Sequence, residues 1–447
     1  MTLENIRWIG TAPDAAWTDN AVMAAASSED TLALTGERGQ NIGGFGGCFN
    51  ELGWIALSRI EPAARERVLR DLFHPQLGCK FNYCRLPIGA NDYALDWYSC
   101  NETDGDYAME KFSIDRDKLY LLPYIKKALE YRADLTLYAS PWSPPTWMKE
   151  PRVYNYGKLR MEPEVLKAYA LYFKKFVKAY EQEGIRIRQI HIQNEPFADQ
   201  KFPSCLWTGE QYRVFIRDYL GPLFQKENMA AEIWFGTLNG PTPMAMNPLT
   251  GAITLQSYDA YVDHVLFDPE ARKYIKGVGY QWAGKYAIQR THDSFPELKL
   301  IQTENECGDG QNSWEYARYV FDLIRHYLVN GANAYIYWNM VLEPGGVSTW
   351  GWPQNSLITI DAETQKVIYN PEFYLMKHFS HFVAPGAARL LTKGHWNSAS
   401  LAFENPNGEI VLVVNNGVAY SRTFTFKGNQ RAFSAELRPY SFNTFVL

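Results

Sequence analysis

Eight short apolar runs recur along the chain, each closed by polar, Gly or Pro residues: Ile42–Phe49, Asn82–Leu86, Leu135–Ala139, Ile187–Gln193, Glu232–Thr237, Val278–Gln281, Lys299–Gln302 and Ala334–Trp338. Continuous apolar runs of this length read as strands buried on both faces. Several are separated by strongly helical segments. The clearest spans Pro163 to Gln182, where Val165, Tyr169, Tyr172, Phe173, Phe176, Val177 and Tyr180 make one apolar face and Lys167, Lys174, Lys175 and Lys178 fall largely opposite. Pro163 suits a first helical turn and Gly184 a stop. A second helix is predicted from Ser313 to Val329, ending near Gly331. Strands alternating with helices imply a parallel sheet with helical crossovers, and eight repeats closing on themselves give an α/β fold, the (β/α)8 TIM barrel.

The two ends of the chain follow another rhythm. Asp30–Thr35 near one end, and Leu401–Phe403, Glu409–Val414, Thr423–Phe426 and Ser441–Val446 near the other, alternate with period two and are broken by NPNG, NNG and KGN turns. They predict a side antiparallel β-domain, a β-sandwich formed by both chain termini from residues 1–38 and 384–447, beside a catalytic barrel over 39–383.

Composition narrows the partners. The net charge of −5 is small for 447 residues, and Lys and Arg are scattered, so nothing tracks a phosphate backbone and no nucleic acid is expected. Aromatic residues reach 15%, with 14 Trp and 29 Tyr, and their flat amphipathic rings suit a binding surface. No run of about 18 apolar residues occurs and the opening MTLENIRWIGTAPDAAW lacks an export signal, so a soluble, cytoplasmic protein without a transmembrane segment is expected. The six cysteines (Cys48, Cys79, Cys84, Cys100, Cys205 and Cys307) show no CxxC pair and read as free thiols. The sequon Asn101-Glu-Thr103 is expected to carry no glycan.

In such a barrel, reactive side chains project from the C-terminal ends of the strands. The fourth run ends in Asn194-Glu195-Pro196 and the seventh in Glu304-Asn-Glu-Cys307. Two carboxyls from separate strands facing one cavity meet the demand of glycoside hydrolysis: one protonates the leaving oxygen, the other attacks the anomeric carbon or activates water. A lone strand-end Glu would more ordinarily cap a helix or pair with a Lys, and it is the joint placement at strands four and seven that gives the pair weight. Glu306 competes with Glu304 and is expected to be a loop or helix-capping residue.

Six segments, GFGGCFNELGW (44–54), RLPIGANDY (85–93), SPWSPPTWMK (140–149), IQNEP (192–196), QTENECG (302–308) and YWNMVLEPGG (337–346), occur in an order that resembles glycoside hydrolase family 30, the glucosylceramidase-like family of clan A. The resemblance implies Glu195 as acid/base and Glu304 as nucleophile of a retaining double displacement, with Asn194 on the sugar 2-hydroxyl. It implies that Asp92 binds hydroxyls at the non-reducing end, and that Trp142, Trp338 and Asn339 line the sugar subsite. Trp350 and Trp352 are candidates for an aglycone subsite. After strand six the family often has a His-Trp-Tyr-like segment supporting the nucleophile, whereas this chain has Tyr280-Gln-Trp-Ala-Gly284. Gln281 donates a hydrogen bond there but carries no proton at neutral pH, which puts substrate carry-over from glucosylceramidases in doubt.

Other chemistries fit less well. Gly43-Gly-Phe-Gly-Gly47 lacks both the GxGxxG and the GxxxxGKS/T spacing and reads as a close-packed strand; His378 and His381 lack a carboxylate or Cys to complete a metal site; no GxSxG elbow occurs. The expected protein is a retaining β-glycosidase that acts on a carbohydrate or glycoside with no metal and no cofactor. The alternatives are an endo-acting β-1,6-glucanase or galactanase on the same scaffold, and a carbohydrate-binding protein that has lost catalysis.

Overall fold

The computed structural model describes residues 6–25, 31–242, 245–246, 253–254, 256–428 and 430–447. Eight parallel strands close into a barrel in sequence order. We label them β1 (Gly44–Cys48), β2 (Tyr83–Ile88), β3 (Thr136–Pro141), β4 (Ile187–His191), β5 (Glu232–Leu238), β6 (Ile275–Gln281), β7 (Lys299–Glu304) and β8 (Ala332–Asn339). Each coincides with one of the apolar runs. Strands β1 and β2 are buried at every position, as expected where helices cover the outside and side chains fill the inside. The glycines of β1 are close-packing residues: a Cβ on Gly46 would sit 1.9 Å from the carbonyl oxygen of Tyr83. Tyr83, Tyr138, Trp234, Ile301, Ala334 and Ile336 form a separate cluster contributed by five of the strands.

The helix Pro163–Gln182 starts on Pro163, and Gly184 follows in the left-handed region at φ 79°. The helix Trp314–Val329 is capped by the Ser313 side chain, which accepts from Tyr316 N at 3.1 Å. His378 belongs to the helix Pro371–Ser380 and contacts the Thr444 and Thr11 hydroxyls at 2.8 and 2.9 Å. It joins barrel to side domain, the packing role expected of it.

Both termini build one ten-stranded side sheet. The expected strands are present at Ser400–Glu404, Ile410–Asn416, Arg422–Gly428 and Ser441–Val446. The expected strand from Asp30 begins outside the described residues, and its described part lies in Thr31–Asn41. The sheet is not wholly antiparallel: Thr31–Asn41 runs parallel to Arg422–Gly428, pairing Thr31 with Thr425, because these strands come from opposite ends of the chain and need no hairpin between them. Strands Arg7–Ala12, Ala15–Asn20, Ala388–Lys393 and Arg431–Leu437 complete it beyond the predicted set, with the two-residue Met23–Ala24 at one edge.

All six cysteines are free and buried. Asn101 is 3% exposed and donates to Asp106 at 2.9 Å, so the acceptor side chain of the sequon is buried, while Glu102 and Thr103 are exposed. Among the described residues there is no group of three or more His, Cys, Asp or Glu suited to a metal ion, and no helix long and apolar enough to cross a membrane.

Candidate active site

The C-terminal ends of the barrel strands bring Glu195 and Glu304 together. Glu195 follows β4 with φ 49°, a left-handed conformation that a Glu rarely adopts and that marks a constrained position. Glu304 is the last residue of β7. They are 9% and 6% exposed. Between them lies the amide of Gln281, the last residue of β6, whose Nε2 donates to Glu195 Oε1 at 3.0 Å and to Glu304 Oε2 at 3.2 Å. Its orientation is enforced from the other side, since its carbonyl oxygen accepts from Thr303 Oγ1 at 2.9 Å and Arg85 Nη1 at 3.2 Å. The two contacts bring Glu195 Oε1 and Glu304 Oε2 within about 6 Å of each other on one side of the same cavity.

The two carboxyls have different surroundings. Glu304 takes a charge-assisted bond from Arg85 Nη1 at 2.8 Å, an indole N–H from Trp282 at 3.3 Å and the thiol of Cys307 at 3.8 Å. Among the described residues the Glu195 carboxyl has only Gln281. Burial, reinforced by the charge of Glu304, pushes Glu195 up to about 8. Burial raises Glu304 as well, but the Arg85 guanidinium, Trp282 and Gln281 pull it back. These surroundings favour the anion on Glu304 and the proton on Glu195. Burial also keeps Cys307 a thiol, and hence a donor.

Arg85, an inward-facing cation on the otherwise apolar β2, organises this layer. It is fully buried and donates to Ser140, Asn194 and Glu304. Its guanidinium lies 4.4 Å from the ring centre of Trp142, which in turn stacks on Trp338 at 5.4 Å. Each indole is 1% exposed, so the pair is a buried wall. Asn194 Oδ1 accepts from Arg85 at 2.7 Å, Thr237 at 3.1 Å and Gln281 at 3.2 Å, and among the described residues its amide nitrogen is the unspent donor.

Asp92 is 4% exposed; its Oδ2 receives Gln354 at 3.4 Å and its Oδ1 has no partner among the described residues. Burial and the nearby charge of Glu304 push it up to about 8. Asn339 is fully buried and held by Asn50 at 2.7 Å and Gln354 at 3.0 Å, so it bears on Asp92 through Gln354. Glu306 is a loop residue but no helix cap: it accepts from Lys285 and from Tyr319 at 2.6 Å.

Gln281 was among the residues expected at the site from sequence, whereas Arg85 and Trp282 were not. Arg85 had a signal, a lone cation inside an apolar strand. Trp282 sits in the segment where the chain departs from the family pattern, and it supplies the support to Glu304 that His or Tyr was expected to give.

Comparison with known proteins agrees with this geometry. The model of the glycosyl hydrolase family 30 TIM-barrel domain matches residues 42–383, and that of the family's beta sandwich domain matches 386–445. The chain is 27% identical over 434 residues to a lysosomal acid glucosylceramidase of Mus musculus, covering 91% of this chain and 81% of that protein. Among solved structures, SrfJ from Salmonella typhimurium superposes with a TM-score of 0.87 and the endo-beta1,6-glucanase BT3312 with 0.86, each at 25% identity over 99% of both chains. The chain belongs to glycosyl hydrolase family 30, and it is a glycoside hydrolase.

Proposed function

We propose that the protein hydrolyses β-glucosides with retention of configuration, Glu195 serving as acid/base and Glu304 as nucleophile. The observation that carries this reading is the single Gln281 amide between two carboxyls of unequal environment. Glu195 gives its proton to the glycosidic oxygen as the C–O bond breaks and its electron pair stays on the leaving group, while Glu304 attacks the anomeric carbon to form an ester. With Glu304 esterified and its charge gone, Glu195 is the stronger acid and enters the second half as carboxylate. It takes a proton from water, which attacks the anomeric carbon and releases Glu304. The unspent amide nitrogen of Asn194 suits the 2-hydroxyl, where a hydrogen bond strengthens as positive charge develops on the ring, and Asp92 Oδ1 suits hydroxyls at the non-reducing end.

The glucoside preference rests on the likeness to the mouse glucosylceramidase. The likeness to BT3312 supports a second reading, cleavage of β-1,6-linked glucan. Nitrophenol release from p-nitrophenyl β-glucoside, galactoside, fucoside and xyloside tests the first, with Glu304→Gln as control. Release from the glucoside, lost in the variant and giving β-glucose first by NMR, is the expected result. Alpha-glucose as first product would overturn retention. Activity confined to β-1,6-glucan would favour the second reading.

A further inference from the structure

Strands β4 and β8 stand opposite each other in the ring of eight. Side chains from the loops that follow them meet only if a loop crosses the mouth of the barrel, and they do meet. Phe202, in the loop after β4, has its ring centre 5.3 Å from Trp350 and 6.4 Å from Trp352, both in the loop after β8. Phe202 is 4% exposed. Rings in van der Waals contact leave no gap for a pyranose.

The loops on the β1–β3 side of this bridge are tied in series. Tyr93 Oη, after β2, donates to Gly346 O at 2.6 Å, and Thr349 Oγ1 to Ala94 O at 3.0 Å. Trp147 Nε1, after β3, donates to Asn101 O at 3.0 Å. The buried Lys149 ammonium carries the series on to the loop after β4, donating to Ser204 O at 2.6 Å. Phe202 and Trp350 close the circuit. Tyr93, Trp142, Trp338 and Phe202 belong to one apolar cluster with Trp350 and Trp352 packed against it, so the bridge is continuous with the Trp142–Trp338 wall and with Tyr93, the residue after Asp92.

We propose that this ring of loops ends the cleft just beyond the subsite of Asp92, so that the enzyme removes single sugars from chain ends and does not cut within a chain. The inference rests on the glycosidase reading above and adds the direction of approach: the terminal sugar lies under the bridge and its leaving group points away from it.

The test pairs p-nitrophenyl β-glucoside with p-nitrophenyl β-gentiobioside, which bears one more glucose at the non-reducing end. The wild-type protein should release nitrophenol from the monoside at once, and from the bioside only after a lag in which free glucose appears. Its initial kcat/KM for nitrophenol release should be at least about 100-fold lower on the bioside. Opening the bridge with Phe202→Ala and Trp350→Ala together should bring intact gentiobiose and nitrophenol out of the bioside, narrowing that ratio to within about tenfold. Intact gentiobiose released by the wild-type protein without a lag, or cleavage of the bioside alone, would overturn the inference while leaving the glycosidase reading in place. Folded protein that cleaves neither aryl glucoside nor β-1,6-glucan would instead overturn the β-glucoside reading, and the inference with it.

Discussion

Trp282→Phe isolates what holds Glu304 ionised. The substitution keeps an aromatic ring in the same cluster and deletes only the N–H that donates to Glu304 Oε1 at 3.3 Å. A hydrogen bond to a charged group is worth about 1.5–3 kcal/mol, and the length of this one puts it at the low end. Since 1.36 kcal/mol separates the two protonation states for each pH unit, the acid limb of kcat/KM should move up by about one unit. The direction follows from the sign of the interaction. A donor to the carboxylate stabilises the anion, so its loss lets Glu304 keep its proton to higher pH, and attack on the anomeric carbon needs the anion. Well below the limb the variant should be about tenfold slower than the wild-type protein, and on the plateau the two should differ much less. The assay is kcat/KM on an aryl glycoside across the acid range, with thermal unfolding as the check on folding. Acid limbs that coincide in two equally stable proteins would refute the assignment of Trp282 to Glu304, and with it the account of why the proton rests on Glu195.

The other site predictions follow from the same asymmetry. Glu304→Gln should lower kcat by several orders of magnitude with the fold intact, measured by nitrophenol release and thermal unfolding. Because Glu195 must be protonated and titrates near 8, kcat/KM should fall as pH rises through about 8, and Glu195→Gln should abolish that basic limb while harming substrates with poor leaving groups most. Gly46→Ala drives a methyl into the Tyr83 carbonyl oxygen, where no side chain can yield, and should cost about 3 kcal/mol or more by thermal unfolding. Burial holds His378 neutral down to about 3, whereas the unfolded chain protonates it below its ordinary 6.5. Between those values its contribution to stability should fall by about 1.4 kcal/mol per pH unit as pH drops, a slope that denaturation of wild-type protein and His378→Asn at several pH values would expose by difference.

The barrel was legible because parallel strands covered on both sides must be apolar throughout, and eight such runs have few other ways to bury themselves. Glu195 and Glu304 were legible because they interrupt that pattern where a strand ends. The side sheet was legible only where alternation survives. Arg431–Leu437 keeps that alternation, with Phe433, Ala435 and Leu437 in the core of the side sheet and Ser434 on the other face bonded to Thr425 at 2.8 Å, but its centre of Ser434 and Ala435 has little of the β-branched or aromatic character that marks a strand. The bridge over the mouth could not be read at all, since nothing local to Phe202 or Trp350 says that their loops meet across the barrel.

The segment after β6 carries the point furthest. Read as letters, Tyr280-Gln-Trp-Ala loses the His or Tyr expected to support the nucleophile, and the loss put substrate carry-over from glucosylceramidases in doubt. In the structure Trp282 opens a short 3-10 turn with φ 46°, a left-handed conformation costly for so bulky a residue. From there its indole reaches Glu304, while the backbone of the same turn is anchored where Lys285 O meets His326 at 2.8 Å and the Lys285 ammonium pairs with Glu306. Glu304 therefore has donors in this segment, the Gln281 amide and the Trp282 indole, although the His and Tyr are absent. A departure from a family's motif is evidence about chemistry only after the backbone conformation of the departing segment is known, because that conformation decides which of its side chains reaches the carboxylate.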